Sequence, residues 1–431
     1  MLESATDEKN IGLEVFYTST KGIGGRLRAV PEDFRVEEVP LLPPEKPNGR
    51  YVIARVQARN WETNRLIDAL ARGIGIDRRC ISFAGTKDKR AVTVQYMSFK
   101  ASLDAVENCT LPDVVISHAY MAEQRLKMGS LIGNRFEIKV RDTELEGSEL
   151  RDTVSKTKGE LRALAGFPNF FGVQRFGAVR PITHLVGRSI VEGDFKRAVM
   201  LYLSSTFGME DRGIEEARKC AGKGDYEGAL ALLPSSLRFE RRMLEHLRNH
   251  PDDFIGALTY LPLNLLRMFV HAYQAYLFNR ILSERIRRRL PINEAVAGDI
   301  VIPQGKHGLP DTKRMIFVTE ANIGKVNVQC RKGRAYPTAP LFGMEGAIAT
   351  GEMGDIEHRI IEREGIDEEN FHIPEMPKLS AYGTRRALIS HADDLTITVL
   401  DNMVDFSFSL KKGCYATSLL REFMKASILR Y

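Results

Sequence analysis

Two periodicities divide this chain, and their order constrains its fold more than any other feature. Strand signals dominate the first 140 residues in FRVEEV (34–39), YVIARVQA (51–58), VTVQYMSF (92–99) and RFEIKV (135–140), and YVIARVQA alternates as a half-buried strand should. From about 184 to 290 the spacing is helical, with Leu266, Phe269, Val270, Tyr273, Leu277 and Ile281 on one stripe. Strand signals resume in LTITVL (395–400) and VDFSFSL (404–410), before a last helix expected over 417–427. A strand-rich pattern that stops and returns only near the end predicts one domain interrupted by another. The expected division is 1–185 for the first part, 186–386 for the insertion and 387–431 for the closing part, in an α+β protein.

Smaller signals fill in this outline. RLRAV (26–30) predicts a strand before a Pro-Glu-Asp turn, and ISFAG (81–85) another. A helix carrying Leu66, Ile67, Leu70 and Ala71 is expected to stop at Gly73, and a second helix covers 149–165. After Pro291, short strands and Gly/Pro turns are expected as far as about 386.

With 431 residues the chain can build more than one core. Its 43% hydrophobic and 27% charged residues are ordinary for a globular protein. A net charge of +6 suits a polyanionic partner without requiring one. The opening MLESATDEKN has the character of neither an export nor a transit signal. No apolar run approaches the ~20 residues of a membrane span, so no membrane partner is expected. The five cysteines are scattered and odd in number, which supports neither a disulfide framework nor a zinc cluster. A reducing cytoplasm is the expected setting.

Two strings carry candidate chemistry. In FAGTKDKRAVTVQYMSF (83–99), residues 86–90 form a charged connection between strands. It reads either as a solvated turn or as a carboxylate, Asp88, held among Lys87, Lys89 and Arg90. Such cations favour the ionised form that a nucleophile needs, and they also suit RNA phosphates. In FPNFFGVQRFG (167–177) the phenylalanines either plug the core or offer faces to a flipped base. On the second reading Asn169 meets a base edge and Arg175 a phosphate. In GCYATSLLREF (413–423) a helix capped by Thr417 or Ser418 is expected. Neither that helix nor the strand at Phe34 prevents Tyr415 or Phe34 from facing a ligand.

Other strings point to no site. His246 and His250 lie one helical turn apart but lack a third ligand at suitable spacing, so a solvated basic helix is expected and no metal. KGIGG near residue 22 lacks the helix and lysine of a phosphate loop. Arg285, Arg287, Arg288 and Arg289 read equally as a solvated helix end or as a phosphate contact.

Taken in order, the motifs resemble the TruD family of tRNA pseudouridine synthases across most of the chain. PEDFRVEE (31–38) is similar to its first motif, and AGTKDKRAVTVQ (84–95) to the one bearing its catalytic aspartate. KMGSLIGNRFEIKVR and NFFGVQRFG follow, then FVHAYQAYLFNRILSER, PTAPLFG and GCYATSLLRE. The resemblance implies a pseudouridine synthase catalytic domain with a mixed, mainly antiparallel sheet, interrupted by the family's own α+β insertion. It implies Asp88 as nucleophile and Arg28 as its basic partner, where bacterial relatives tend to have lysine. It also implies that Phe34, Asn169 and Tyr415 line the uridine pocket and that Phe171 lies beside the target base. Thr86 stands where bacterial relatives often have methionine, Tyr415 where they often have phenylalanine, and the longer middle suggests an archaeal or eukaryote-like member.

The implied reaction isomerises a uridine flipped out of tRNA, by analogy uridine 13 of the D-arm. It needs no redox step, group donor or cofactor, and the chain is expected to act as a monomer. The competing classes are a non-catalytic tRNA-binding protein and an RNA methyltransferase. The second would need a glycine-rich donor loop after a strand, which the sequence does not offer.

Overall fold

The computed structural model describes residues 2–177 and 179–431. The alternating segments pair into one large sheet. Its strands run in the order Asp393–Leu400, Met403–Lys411, Leu131–Thr143, Phe34–Pro40, Val92–Phe99, Tyr51–Arg59 and Val114–Ala122. Gly24–Arg26 joins beside Leu131–Thr143, and Ile81–Phe83 beside Val92–Phe99. All these pairings are antiparallel except Phe34–Pro40 with Val92–Phe99, which is parallel. The sheet is therefore mixed and mainly antiparallel. Its closing hairpin pairs residue by residue with a strand laid down some 270 positions earlier, from Val404↔Val140 to Lys411↔Gly133. Alternation sets the faces of that hairpin: Val404, Phe406, Phe408 and Leu410 are buried.

The middle of the chain is helical, from Thr183–Val191 to the 25-residue helix Leu263–Arg287. The predicted stripe of that helix is fully buried, and so are Ala272, Gln274, Ala275, Phe278 and Asn279 off the stripe. The helix is enclosed on several sides, by Thr183–Val191, by Gly351–Glu364 and by the strand Ala335–Leu341. A Cβ on Gly187 would lie 1.9 Å from the Phe269 carbonyl oxygen, so only glycine permits this approach between helices. One apolar core runs continuously from Ile11 through Phe171, Phe278 and Met353 to Phe423.

Several local expectations are corrected. The helix Thr63–Ile74 runs through Gly73 and stops at Gly75, whose φ of 80° gives the left-handed cap. After Pro291 there is a four-stranded antiparallel sheet, Ile316–Phe317, Ile300–Pro303, Ala335–Leu341 and Thr384–Ala387, but also two helices, Ile323–Arg331 and Gly351–Glu364. Gly324 in the first, and Gly351 and Gly354 in the second, masked the helical spacing. Of the expected strand at 26–30 only Arg26 lies in the observed strand Gly24–Arg26, because Arg28 turns the chain with φ 55°. The last helix is Ala416–Met424 with Tyr415 at its N-cap. Thr417 and Ser418 lie inside its first turn and donate instead to Gln174 Oε1 and the Phe170 carbonyl, each at 2.9 Å.

Three of the four arginines at the end of the long helix are held by carboxylates, and Arg289 is exposed. Arg285 is fully buried and grips Asp299 at 2.6 Å, Arg287 reaches Glu14 at 2.9 Å, and Arg288 reaches Glu284 at 3.1 Å. His246 Nε2 donates to Asp253 Oδ2 at 2.9 Å, with the His250 ring 5.1 Å away. Among the described residues, no three His, Cys, Asp or Glu side chains are grouped to hold a metal ion. No described helix is long and apolar enough to cross a membrane.

Candidate active site

The parallel pairing at the centre of the sheet places the ends of two segments side by side. Phe34–Pro40 leaves from the turn that follows Arg28, and Val92–Phe99 leaves from the loop that carries Asp88. The floor between them is set by period-two alternation. Phe34, Val36 and Glu38 share one face, and across the strand pair they meet Ile138, Phe136 and Asn134. Phe34 and Phe136 pack edge to face at 6.1 Å.

Over this floor lies a cleft of about 200 Å³, lined among others by Arg28, Phe34, Asp88, Phe136, Gln174 and Tyr415. Arg28 Nη2 donates to Asp88 Oδ2 at 2.7 Å, and its guanidinium lies 4.0 Å over the Phe34 ring. Burial pushes the Arg28 guanidinium below its ordinary range, an effect opposed by the charge of Asp88 and the hydrogen bond to it. Arg28 Nε is buried without a hydrogen-bond partner. Asp88 itself is 48% exposed, so one edge of its carboxylate is held while the rest faces the cleft.

Lys87 explains how the loop is held. The sequence places it at RNA phosphates, but the structure turns it inward. Its ammonium lies 2.7 Å from Glu38, donates to Asn134 Oδ1 at 3.2 Å, and is nearly inaccessible. Its backbone N–H donates to Thr63 Oγ1 at 2.9 Å, at the start of the helix Thr63–Ile74. Anchored at main chain and side chain, Lys87 fixes the direction in which the next residue, Asp88, must point. Lys89 and Arg90 are exposed beside it.

Tyr415 lines the cleft from the N-cap of the last helix. A Cβ on Gly172 would fall 2.3 Å from Thr417 Oγ1 and 3.1 Å from the Tyr415 ring, so this glycine lets the NFFG loop close against that wall. Phe171 is buried behind the wall. Its ring meets Tyr415 at 5.8 Å and Phe278 at 5.6 Å, with the Arg386 guanidinium 4.1 Å over it. Asn169 is also buried: it donates to the Ala387 carbonyl at 2.9 Å and accepts from Arg386 Nη2 at 2.7 Å. The structure thus brings Asp88, Arg28, Phe34 and Tyr415 into one cleft, with Phe171 packed behind Tyr415, whereas Asn169 lies outside it, bonded to Arg386 and Ala387. Arg175 lies 5.8 Å from the Phe171 ring, its Nε buried without a partner.

Asn134, Phe136, Gln174 and Thr417 line the cleft but were not singled out from sequence. A signal existed for two of them. Asn134, Phe136 and Ile138 alternate on one strand face, and a polar residue heading such a row is where a buried strand reaches a site.

A family model described as tRNA pseudouridine synthase D (TruD) matches residues 10–423. Proteins named tRNA pseudouridine synthase D are similar over nearly the whole chain. The one from Methanococcoides burtonii is 42% identical over 98% of both chains. The one from Thermococcus sibiricus is 40% identical over 95% of this chain and 97% of its own. A crystal structure from Methanosarcina mazei, titled as tRNA pseudouridine synthase D, superimposes with a TM-score of 0.85 at 38% identity, covering 100% of each chain.

Proposed function

The chain belongs to the tRNA pseudouridine synthase D family, and from that premise we propose that it converts uridine 13 of the tRNA D-arm to pseudouridine with Asp88 as nucleophile. The observation that carries this reading is the Asp88–Arg28 pair over a small aromatic floor, with half of the carboxylate left open to the cleft. The reaction breaks the N1–C1′ bond of the uridine, joins C5 to C1′, releases the C5 hydrogen as a proton and takes up one proton at N1. Its atoms and electrons balance without an oxidant or a group donor.

Each neighbour has a part. Arg28 orients Asp88 and offsets its charge. Phe34 and Tyr415 bound the space for uracil once the nucleotide is flipped out, at a cost of a few kcal/mol. Phe171 holds the Tyr415 wall from behind. Lys89, Arg90 and Arg175 meet phosphates of the RNA. Residues 1–185 and 387–431 are taken as the catalytic part and 186–386 as the inserted part, supported by the return of the closing hairpin to the opening strands. The described cysteines are all free thiols, which suits a reducing cytoplasm.

The test is tritium release from tRNA labelled at uracil C5, comparing the parent with Asp88→Ala. Release by the parent alone supports isomerisation through Asp88. Release by both means another residue is the nucleophile, and release by neither on tightly bound tRNA removes the reading. Mapping the product on the tRNA checks the position, and pseudouridine anywhere but 13 overturns that part.

A further inference from the structure

A second and larger cleft, of about 550 Å³, opens beside the active cleft, and Arg28 lines both. It is bounded by Arg26 and Arg28 before the Phe34–Pro40 strand, by Asn60, by Arg90 at the end of the Asp88 loop, and by Leu429 and Arg430 at the C-terminus. Four arginines therefore line one space. Arg28 is occupied by Asp88 at 2.7 Å and Arg26 by Asp142 at 2.6 Å. Arg90 and Arg430 are exposed and, among the described residues, pair with no carboxylate.

The C-terminal wall is fixed in place. The Arg430 carbonyl accepts from the Leu27 N–H at 2.8 Å, Ser427 Oγ donates to Asp7 at 2.6 Å, and Ile428 and Tyr431 are buried on either side. The backbone of Arg430 is thus tied down while its side chain is left outside. Asn60 is held in the left-handed region, φ 59°, by its N–H bond to the Ala91 carbonyl at 2.9 Å, so it too is presented on a rigid turn. Leu429, 54% exposed, adds an apolar surface among the cations.

Converging guanidinium groups with few carboxylates between them attract an anion, and the guanidinium fork matches phosphate oxygens. The space is too large for a lone phosphate, and Leu429 offers contact to a sugar or base. The shared Arg28 sets the cleft one side chain from Asp88, where the strand leaving a flipped nucleotide has to pass. We infer that this cleft holds the ribose–phosphodiester backbone of the nucleotide next to the target uridine, with Arg430, Arg90 and Asn60 as its contacts. The inference rests on the Asp88 cleft being where the uridine reacts.

The experiment uses the full chain and whole tRNA, and compares Arg430→Ala and Arg430→Glu with Lys219→Ala, an equal loss of charge on the helix Arg212–Gly222. KM and the saturating rate are read by tritium release over a series of salt concentrations. Arg430→Ala should raise KM by about tenfold, weaken the salt dependence by about one counterion, and change the saturating rate by less than about twofold. Arg430→Glu should raise KM further. If both variants match Lys219→Ala in KM and salt slope while the parent turns over tRNA, the cleft is not a backbone site and the Asp88 reading stands. A lower saturating rate at unchanged KM likewise overturns the inference. If the parent releases no tritium, the Asp88 reading fails and the cleft assignment falls with it.

Discussion

Arg28–Asp88 in the active cleft and Arg385–Glu357 in the core are made of the same groups at nearly the same distance, 2.7 and 2.6 Å, yet they are finished differently. Arg385 also donates to Thr338 Oγ1 at 2.7 Å, the Ala347 carbonyl at 2.7 Å and the Thr338 carbonyl at 2.9 Å, and Glu357 accepts from the Ala349 N–H at 2.8 Å. Neither side chain is more than 1% exposed. Even so, burial raises the Glu357 carboxyl above its ordinary range against the pull of Arg385. A buried pair needs every donor and acceptor filled because no water can complete it. In the cleft, Arg28 Nε is unfilled and Asp88 is half open, which leaves hydrogen-bonding capacity for an incoming group. The core pair is saturated by protein groups, whereas the cleft pair is left partly open to solvent.

Breaking each pair should therefore give different failures. The largest effect is expected from Asp88→Ala: tritium release falls by about 10⁴-fold or more, in the range seen when a nucleophile is deleted, while tRNA affinity measured by gel shift hardly changes because phosphates dominate it. An equal loss of binding would make Asp88 part of the RNA surface instead. Glu357→Gln should act on stability, costing about 3–5 kcal/mol by leaving Arg385 buried without its counter-charge. The urea midpoint reads this, and an unchanged midpoint would erase the contrast between the pairs.

Arg28→Lys sharpens the comparison, since it keeps the charge but loses the planar group over Phe34. The rate should fall by roughly 10- to 100-fold through misplacement of Asp88, with a smaller loss of stability than Glu357→Gln because Asp88 stays open to solvent. A midpoint shift as large as that of Glu357→Gln would show that the cleft pair is structural too. The smallest effect is expected from Tyr415→Phe. It removes one hydroxyl and should change KM by about fivefold at most, one hydrogen bond's worth. A drop of more than about 100-fold in the saturating rate would give that hydroxyl a part in the chemistry.

The cleft itself was only partly legible in the sequence. Asp88, Arg28, Phe34 and Tyr415, drawn from three separate motifs, line one cleft. Asn169 and Phe171 belong to the same string of motifs, but Asn169 lies outside the cleft and Phe171 behind it, held by Arg386 and Asn279 respectively. Lys87 and Arg90 are equivalent in a charged turn, yet one is buried on Glu38 and the other is exposed. Nothing in a five-residue loop tells which cation will find a carboxylate on a strand some fifty positions away.

What the sequence by itself determined is what depends on period and order. Strand signals at 34–39, 92–99, 135–140 and 404–410 specified strands, and the helical stripe of Leu263–Arg287 specified one buried side, because side-chain direction follows local backbone geometry. The burial of both faces at 92–99 and of helix residues off that stripe came from packing. The order of the motifs also sufficed to place the chain in its family. Tertiary structure alone decided the rest. It chose Gly75 over Gly73 to end a helix, since Gly73 packs within the helix against Cys109. It paired Arg287 with Glu14, which no local pattern links to it, and buried Arg285 on Asp299. It also carried Arg430 from the last turn of the chain to the side of Arg28. Charges find partners through space, across separations that no local pattern encodes.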